Sequence, residues 1–297
     1  MTRTDVTFLS GPLKLAGHLY IPDSYKEGQK LPAIIGVHPA GGVKEQTTGT
    51  YCKELADHGF ITLAFDRRYQ GESEGTPRQY EQAFGFGEDV KSAVTFLSLQ
   101  PQVDASRIGV LGICAGGGYA LFAASSDPRI KAVGTVSAAC YGSLLRTLPK
   151  ADLDAILVQA GEARIEYAKT GEVKYLPIVP NIEDITEDSP NLMAEGSEYY
   201  NTPRGSHPRS ISRTAIWAYD ELLLFDAFAF IDQIAPRPIL LVAGSKADTL
   251  VYSQKAYNQA GEPKELYLVE GSTHVDLYDR HLQKAAPKLI EFFKEKL

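Results

Sequence analysis

The chain has 297 residues, enough for one large α/β domain with an insertion, and its 30 basic and 37 acidic residues leave a formal net charge of -7 without gathering either sign into a run, which argues against a nucleic-acid or anionic-membrane partner. No stretch approaches the ~18 apolar residues of a membrane span, and the N-terminal residues lack the apolar run of a signal peptide. Three scattered cysteines, Cys52, Cys114 and Cys140, form neither a disulfide framework nor a metal-ligand cluster, so a cytoplasmic protein with no metal or organic cofactor is expected.

Residues 5 to 22 alternate apolar and polar in two runs separated by Gly11-Pro12, the pattern of an antiparallel hairpin. His18, in its second run, is read as a packed or surface side chain. Pro32 to His38 is a near-continuous apolar run, as in a strand buried on both faces, and it ends in the turn His38-Pro39-Ala40-Gly41-Gly42. A helix near Gln46 to His58 stops at Gly59, a strand runs from Phe60 to Phe65, and a loop rich in Gly, Arg and Glu continues to about residue 84. Val90, Ala93, Val94 and Leu97 recur at helical spacing, with Glu88 and Asp89 expected at an exposed helix start. Strand 107 to 113, a helix after Cys114 and a strand from Ile130 to Val136 extend the alternation, which predicts a mostly parallel sheet covered by helices on both faces.

The rhythm breaks after residue 140. Residues 141 to 220 carry a helical stretch near Leu153 to Ala168, a loop at Tyr175 to Asp188 and a shorter helix near Leu192 to Tyr200, with no strong buried strand. They read as a helical cap inserted into a core formed by residues 1 to 140 and 221 to 297. Alternation resumes with the strand Pro238 to Gly244.

The chemistry centres on Gly112-Ile113-Cys114-Ala115-Gly116-Gly117. Glycines two residues to either side of Cys114 suit a nucleophile carried on a tight strand-to-helix turn, where side chains would block the close approach of strand and helix. The N-terminus of the following helix would favour thiolate over thiol. A thiol nucleophile needs a base, and the base needs an orienting partner, expected downstream in the order acid, then histidine. Asp248 follows the strand ending at Gly244 and His274 follows the strand Glu265 to Val269, so each stands past a carboxyl end of the sheet. Cys114, Asp248 and His274 are the expected triad, with Asp276 and Asp279 opening the last helix. Backbone N–H groups of Ala40 and Ala115 are the expected oxyanion donors.

These residues resemble the dienelactone hydrolase branch of the α/β-hydrolase superfamily, whose members use a Cys-Asp-His triad. The resemblance implies an α/β-hydrolase fold and acyl chemistry through a thioester intermediate. Small members of that branch lack a long cap and place a glutamate at the end of the strand before the oxyanion turn, where this chain has His38 or Pro39. In length and in the loop Gly71 to Arg78 the chain is similar to larger capped relatives, among them bacterial hydrolases and fungal polyketide transferases. The expected activity is hydrolysis of an ester, lactone or thioester, with acyl transfer or a non-catalytic ligand-binding module as the alternatives and a small-molecule acyl compound as partner. Candidate substrate contacts are His38, Tyr69, Tyr141 and Trp217, with Tyr199 and Tyr200 as further aromatic walls and Arg67, Arg68 or Arg204 for an anionic group. No oligomeric state follows from the sequence.

Overall fold

A computed structural model describes all residues, Met1 to Leu297. An antiparallel hairpin of β1 (Thr2–Ser10) and β2 (Leu13–Ile21) turns at Gly11, whose φ of 57° suits glycine. It leads into β3 (Leu31–Val37), α1 (Thr47–Asp57), β4 (Ile61–Phe65), α2 (Ala83–Ser98), β5 (Val103–Ile113), α3 (Ala115–Ser126) and β6 (Ile130–Val136). Next come α4 (Tyr141–Leu145), α5 (Lys150–Thr170), β7 (Tyr175–Pro177), α6 (Asn191–Asn201), β8 (Arg213–Ala215) and α7 (Ala218–Leu224). The chain then closes with β9 (Ile239–Gly244), α8 (Leu250–Gln259), β10 (Lys264–Val269) and α9 (Leu282–Lys296).

Eight strands form one sheet in the order β1-β2-β4-β3-β5-β6-β9-β10. β2 pairs antiparallel to both β1 and β4, and every pairing from β4 to β10 is parallel. The apolar runs of the central strands follow from burial on two sides. In β5, Ile108 and Val110 join the core under α2 and α3, whereas Leu111 and Ile113 join the core under α1 and α9. In β9, Ile239 and Leu241 divide from Leu240 and Val242 in the same way. Strand order reverses between β3 and β5, the switch point that leaves a crevice at the carboxyl ends.

Three local expectations change. α2 begins at Ala83, seven positions before Val90, and Asp89 is fully buried, where it accepts from Arg68 N at 2.8 Å and Arg68 Nε at 2.8 Å. The last helix begins at Leu282; Asp276 opens a short 3-10 turn and Asp279 pairs with Arg204 at 2.7 Å. Residues 141 to 220 include a two-stranded sheet, β7 with β8, beside their helices. α5 is the most solvent-facing helix, with only Ala160 and Ala163 buried, which accounts for its weak apolar periodicity. No helix is long and apolar enough to cross a membrane.

Candidate active site

Cys114 lies where β5 passes into α3, with φ 56° and ψ -125°. A non-glycine residue in that region is strained, and such strain persists only where the surroundings hold it. Here Cys114 N donates to Val136 O at 2.9 Å, while Cys114 O accepts from Gly117 N at 2.9 Å and Ala139 N at 3.0 Å. The flanking glycines are required by approach: a methyl group at Gly112 would lie 2.5 Å from Gly117 Cα, and one at Gly116 would lie 2.6 Å from His38 O. The spacing read in the sequence is therefore a packing requirement between β3, β5 and α3.

The sulfur is partly exposed at the floor of a pocket. Burial pushes its thiol up from the ordinary value, opposed by hydrogen bonds from the Tyr278 hydroxyl and the backbone amides of Ala115 and Ala40, and by the charge of Arg67. Ala40 and Ala115, the residues expected to supply oxyanion donors, line the same pocket as Cys114.

The turn carrying Ala40 is held from beneath by a buried ion pair. Arg67 Nη1 lies 3.3 Å from Glu81 Oε2, and both side chains are almost fully excluded from solvent. Arg67 Nη2 donates to Pro39 O at 2.8 Å and Glu81 Oε1 accepts from Gly41 N at 2.9 Å, so the pair grips the chain on both sides of Ala40. His38 belongs to this support: its Nδ1 is 2.8 Å from Pro39 O and its Nε2 accepts from Arg67 N at 3.2 Å. Burial and the Arg67 charge hold its imidazole neutral, well below the ordinary range. It does not line the pocket.

His274 and Asp248 do not meet. His274 Nδ1 lies 2.5 Å from Thr249 Oγ1 and its Nε2 lies 3.1 Å from the Tyr278 hydroxyl. Asp248 is exposed, and its Oδ2 instead accepts from Leu192 N at 3.0 Å, in the first turn of α6. Adjacent residues on one loop point to opposite partners, so Thr249 stands where the sequence suggested a carboxylate. No hydrogen bond joins Cys114 to His274 directly; Tyr278 touches both, its hydroxyl at His274 Nε2 and at the thiol. Burial pulls His274 down to about 3, so the imidazole is neutral across the physiological range. The Nδ1–H tautomer donates to Thr249 and leaves Nε2 to accept from Tyr278.

Of the substrate candidates, Tyr141 and Tyr200 line the pocket. Tyr69 packs against Tyr80 with ring centroids 5.2 Å apart, and Trp217 packs at a tilt against Tyr167, centroids 5.2 Å apart, in a small core with α5; neither lines the pocket. Tyr199 is structural, its hydroxyl oxygen accepting from Thr47 N at 3.1 Å. All three arginines have internal carboxylate partners: Arg67 with Glu81, Arg68 with Asp89, and Arg204 with Asp279 and Glu198. Tyr278 and Thr249 were not foreseen. Tyr278 stands four residues after His274, a spacing that brings side chains together across one turn.

The family model for the dienelactone hydrolase family matches residues 15–163. The crystal structure of hypothetical protein PA2218 from Pseudomonas aeruginosa superposes with a TM-score of 0.93 at 37% identity, covering 100% of this chain and 94% of that one. Thiohydrolase aneE of Aspergillus aculeatus is 27% identical over 92% of this chain and 86% of its own length. The α/β hydrolase GrgF from Penicillium sp., a polyketide transferase by its curated name, superposes with a TM-score of 0.86 at 25% identity over 100% of this chain and 99% of its own.

Proposed function

Since the chain belongs to the dienelactone hydrolase family and is an α/β-hydrolase enzyme, we propose that it cleaves an ester, lactone or thioester through a covalent thioester on Cys114. The observation that carries the reading is the Tyr278 hydroxyl between the Cys114 sulfur and His274 Nε2, with the Ala40 and Ala115 amides at the same sulfur.

In this mechanism the Cys114 proton passes to the Tyr278 oxygen as the phenolic proton passes to His274 Nε2. Tyr278 stays neutral, and a thiolate and an imidazolium result. Thr249 Oγ1 accepts from Nδ1–H and fixes the ring. The thiolate adds to the substrate carbonyl, the two amides take up the developing oxyanion, and the imidazolium returns its proton through Tyr278 to the leaving group as the carbonyl re-forms. Water then gives a proton to His274 as it attacks the thioester, and the acid product leaves with Cys114 restored. A thioester or other activated acyl donor suits this sequence, because a thiolate is itself a good leaving group and an unactivated alkoxide would lose the partition of the first adduct.

Acyl transfer to an alcohol or amine is the second reading, favoured by the similarity to a protein named polyketide transferase. The acyl-enzyme is common to both, and added acceptors during turnover separate them. Residues 141 to 220 act in this reading as a cap over the carboxyl ends of the strands, contributing Tyr141, Ile178, Val179, Leu192 and Tyr200 to the pocket. The three free thiols are in keeping with a reducing compartment. The test is mass spectrometry after rapid mixing with aryl thioesters. An acyl adduct on Cys114, absent from His274→Ala, is expected. Turnover undiminished in Cys114→Ala would rule the mechanism out.

A further inference from the structure

The pocket above Cys114 opens to solvent, with about 650 Å³ of empty space including the solvent at its mouth, and its lining includes no Asp, Glu, Lys or Arg. Ala139, Leu144, Ile178, Val179, Leu192 and Met193 are among its apolar lining residues. His274 also faces it, but as a neutral imidazole. Cations beneath the site are committed elsewhere. Arg67 holds Glu81 and the Pro39 carbonyl, and Lys44 holds Asp66 at 2.8 Å. Arg204, on the cap side, donates to Asp279 through both Nε and Nη2. A carboxylate drawn into this space would lose its hydration and meet no counter-charge.

One polar group in the wall is unsatisfied. Tyr200, on α6, is buried at 7% exposure, lines the pocket, and its hydroxyl has no hydrogen-bond partner. It stands beside Cys114, whose charge acts on it, and shares the pocket lining with Tyr278. A buried phenol left without a partner is unfavourable, and a ligand that supplies an acceptor removes the penalty. The other tyrosine of the catalytic group, Tyr278, is already engaged with His274.

We propose that the acyl group taken by this site is uncharged and mostly apolar, and carries one oxygen acceptor that receives a hydrogen bond from Tyr200. The proposal rests on the acyl-enzyme reading for the orientation of the substrate, but the selectivity it states belongs to the pocket and is measurable by binding alone. The Arg67, Arg68 and Arg204 side chains take no part in substrate recognition.

The test uses three acyl groups matched in length: pentanoyl, levulinoyl, which adds one ketone, and succinyl, which replaces that ketone's methyl by an anionic oxygen. Their dimethylamides are titrated calorimetrically into the full-length Cys114→Ala protein, which binds without reacting. Levulinoyl amide is expected to bind about 100-fold or more tightly than succinyl amide, and about tenfold more tightly than pentanoyl amide. Tyr200→Phe should abolish the preference for levulinoyl over pentanoyl and leave pentanoyl binding within about twofold. Succinyl binding equal to or tighter than levulinoyl, no binding of any neutral amide, or a Tyr200→Phe loss shared equally by all three would overturn the proposal. The corresponding aryl thioesters, offered to the unmodified protein, report on the chemistry separately. The expected amide order with no Cys114 adduct from any thioester refutes the acyl-enzyme reading and leaves the pocket selectivity standing.

Discussion

Replacing Tyr278 by phenylalanine removes one oxygen from the middle of the proton path and keeps the ring that packs against His274 at a centroid separation of 5.5 Å. His274 Nε2 loses its partner at 3.1 Å, and the Cys114 thiol loses one of the hydrogen bonds that draw it down. Two consequences follow with definite sign. The thiol titrates at higher pH than in the unmodified protein, since the contact removed favours the thiolate. Proton transfer to the base must then bridge a gap that the hydroxyl had filled, and loss of a positioned proton-transfer group costs about 10²–10⁴ in rate. The assay is alkylation of Cys114 by iodoacetamide as a function of pH, read by peptide mass spectrometry, together with the acylation rate from an aryl thioester. Cys52 serves as an internal control, because burial pushes its thiol up to about 12 and it should stay unmodified. An acylation rate within about threefold of the unmodified protein, with the alkylation midpoint unmoved, refutes the relay, since both effects are the least that general acid–base participation allows.

Thr249→Val leaves the buried Nδ1–H of His274 without an acceptor and should slow acylation about 10- to 100-fold, a loss on the order of 1–3 kcal/mol, whereas Asp248→Asn keeps an oxygen for Leu192 N and should stay within about threefold. The reverse ranking in stopped-flow acylation would return the orienting role to Asp248. Glu81→Gln breaks the buried pair with Arg67 and should lower unfolding free energy by about 3–5 kcal/mol in urea titrations, with kcat falling more than KM rises because the Ala40 amide loses its support. An unchanged midpoint would show that the pair does not hold the turn. His274 is depressed to about 3, so kcat/KM should show no acid limb near 6.5; the base remains neutral until the pH approaches 3. His274 and His38 both have native values below 6.5, so the unfolded chain binds more protons than the native one as pH falls below 6.5. Stability is therefore full above 6.5 and declines on acidification, by about 1.4 kcal/mol per pH unit for each histidine until its native value is reached. Equal urea midpoints at pH 7 and pH 5 in His274→Gln and the unmodified protein would contradict this account.

The elbow was legible because its glycines answer a local steric demand, and a local demand leaves a spacing in the sequence. The parallel sheet was legible for a similar reason: strands buried on both faces read as apolar runs, and β3, β5, β6 and β9 all did. What stayed hidden depends on distant parts of the chain. Whether Asp248 or Thr249 turns toward His274 is decided by the path of one short loop and by the presence of the α6 amide at Leu192, which no periodicity records. Asp89 looked like a surface cap because acids commonly open helices, and only the fold brings Arg68 against it. Arg67 looked available for an anion until Glu81, fourteen residues on, occupied it. Aromatic residues were the least informative, since Trp217 and Tyr200 differ only in which core they enter.

The clamp on the oxyanion turn also bears on how readily this scaffold can change its substrate. Arg67 and Glu81 hold the backbone of Pro39 and Gly41 in the folded protein, so in the proposed mechanism the Ala40 amide is already in place when a substrate arrives. The cap wall is joined to that clamp at two kinds of contact: Ile178 packs over Gly41, and Ser210 Oγ donates to Gly41 O at 2.7 Å while Glu81 N donates to Thr214 Oγ1 at 3.1 Å. Wall and turn are therefore coupled through Gly41, so substitutions at Leu192 or Met193, away from that contact, should retarget the pocket with less effect on the turn than substitutions at Ile178.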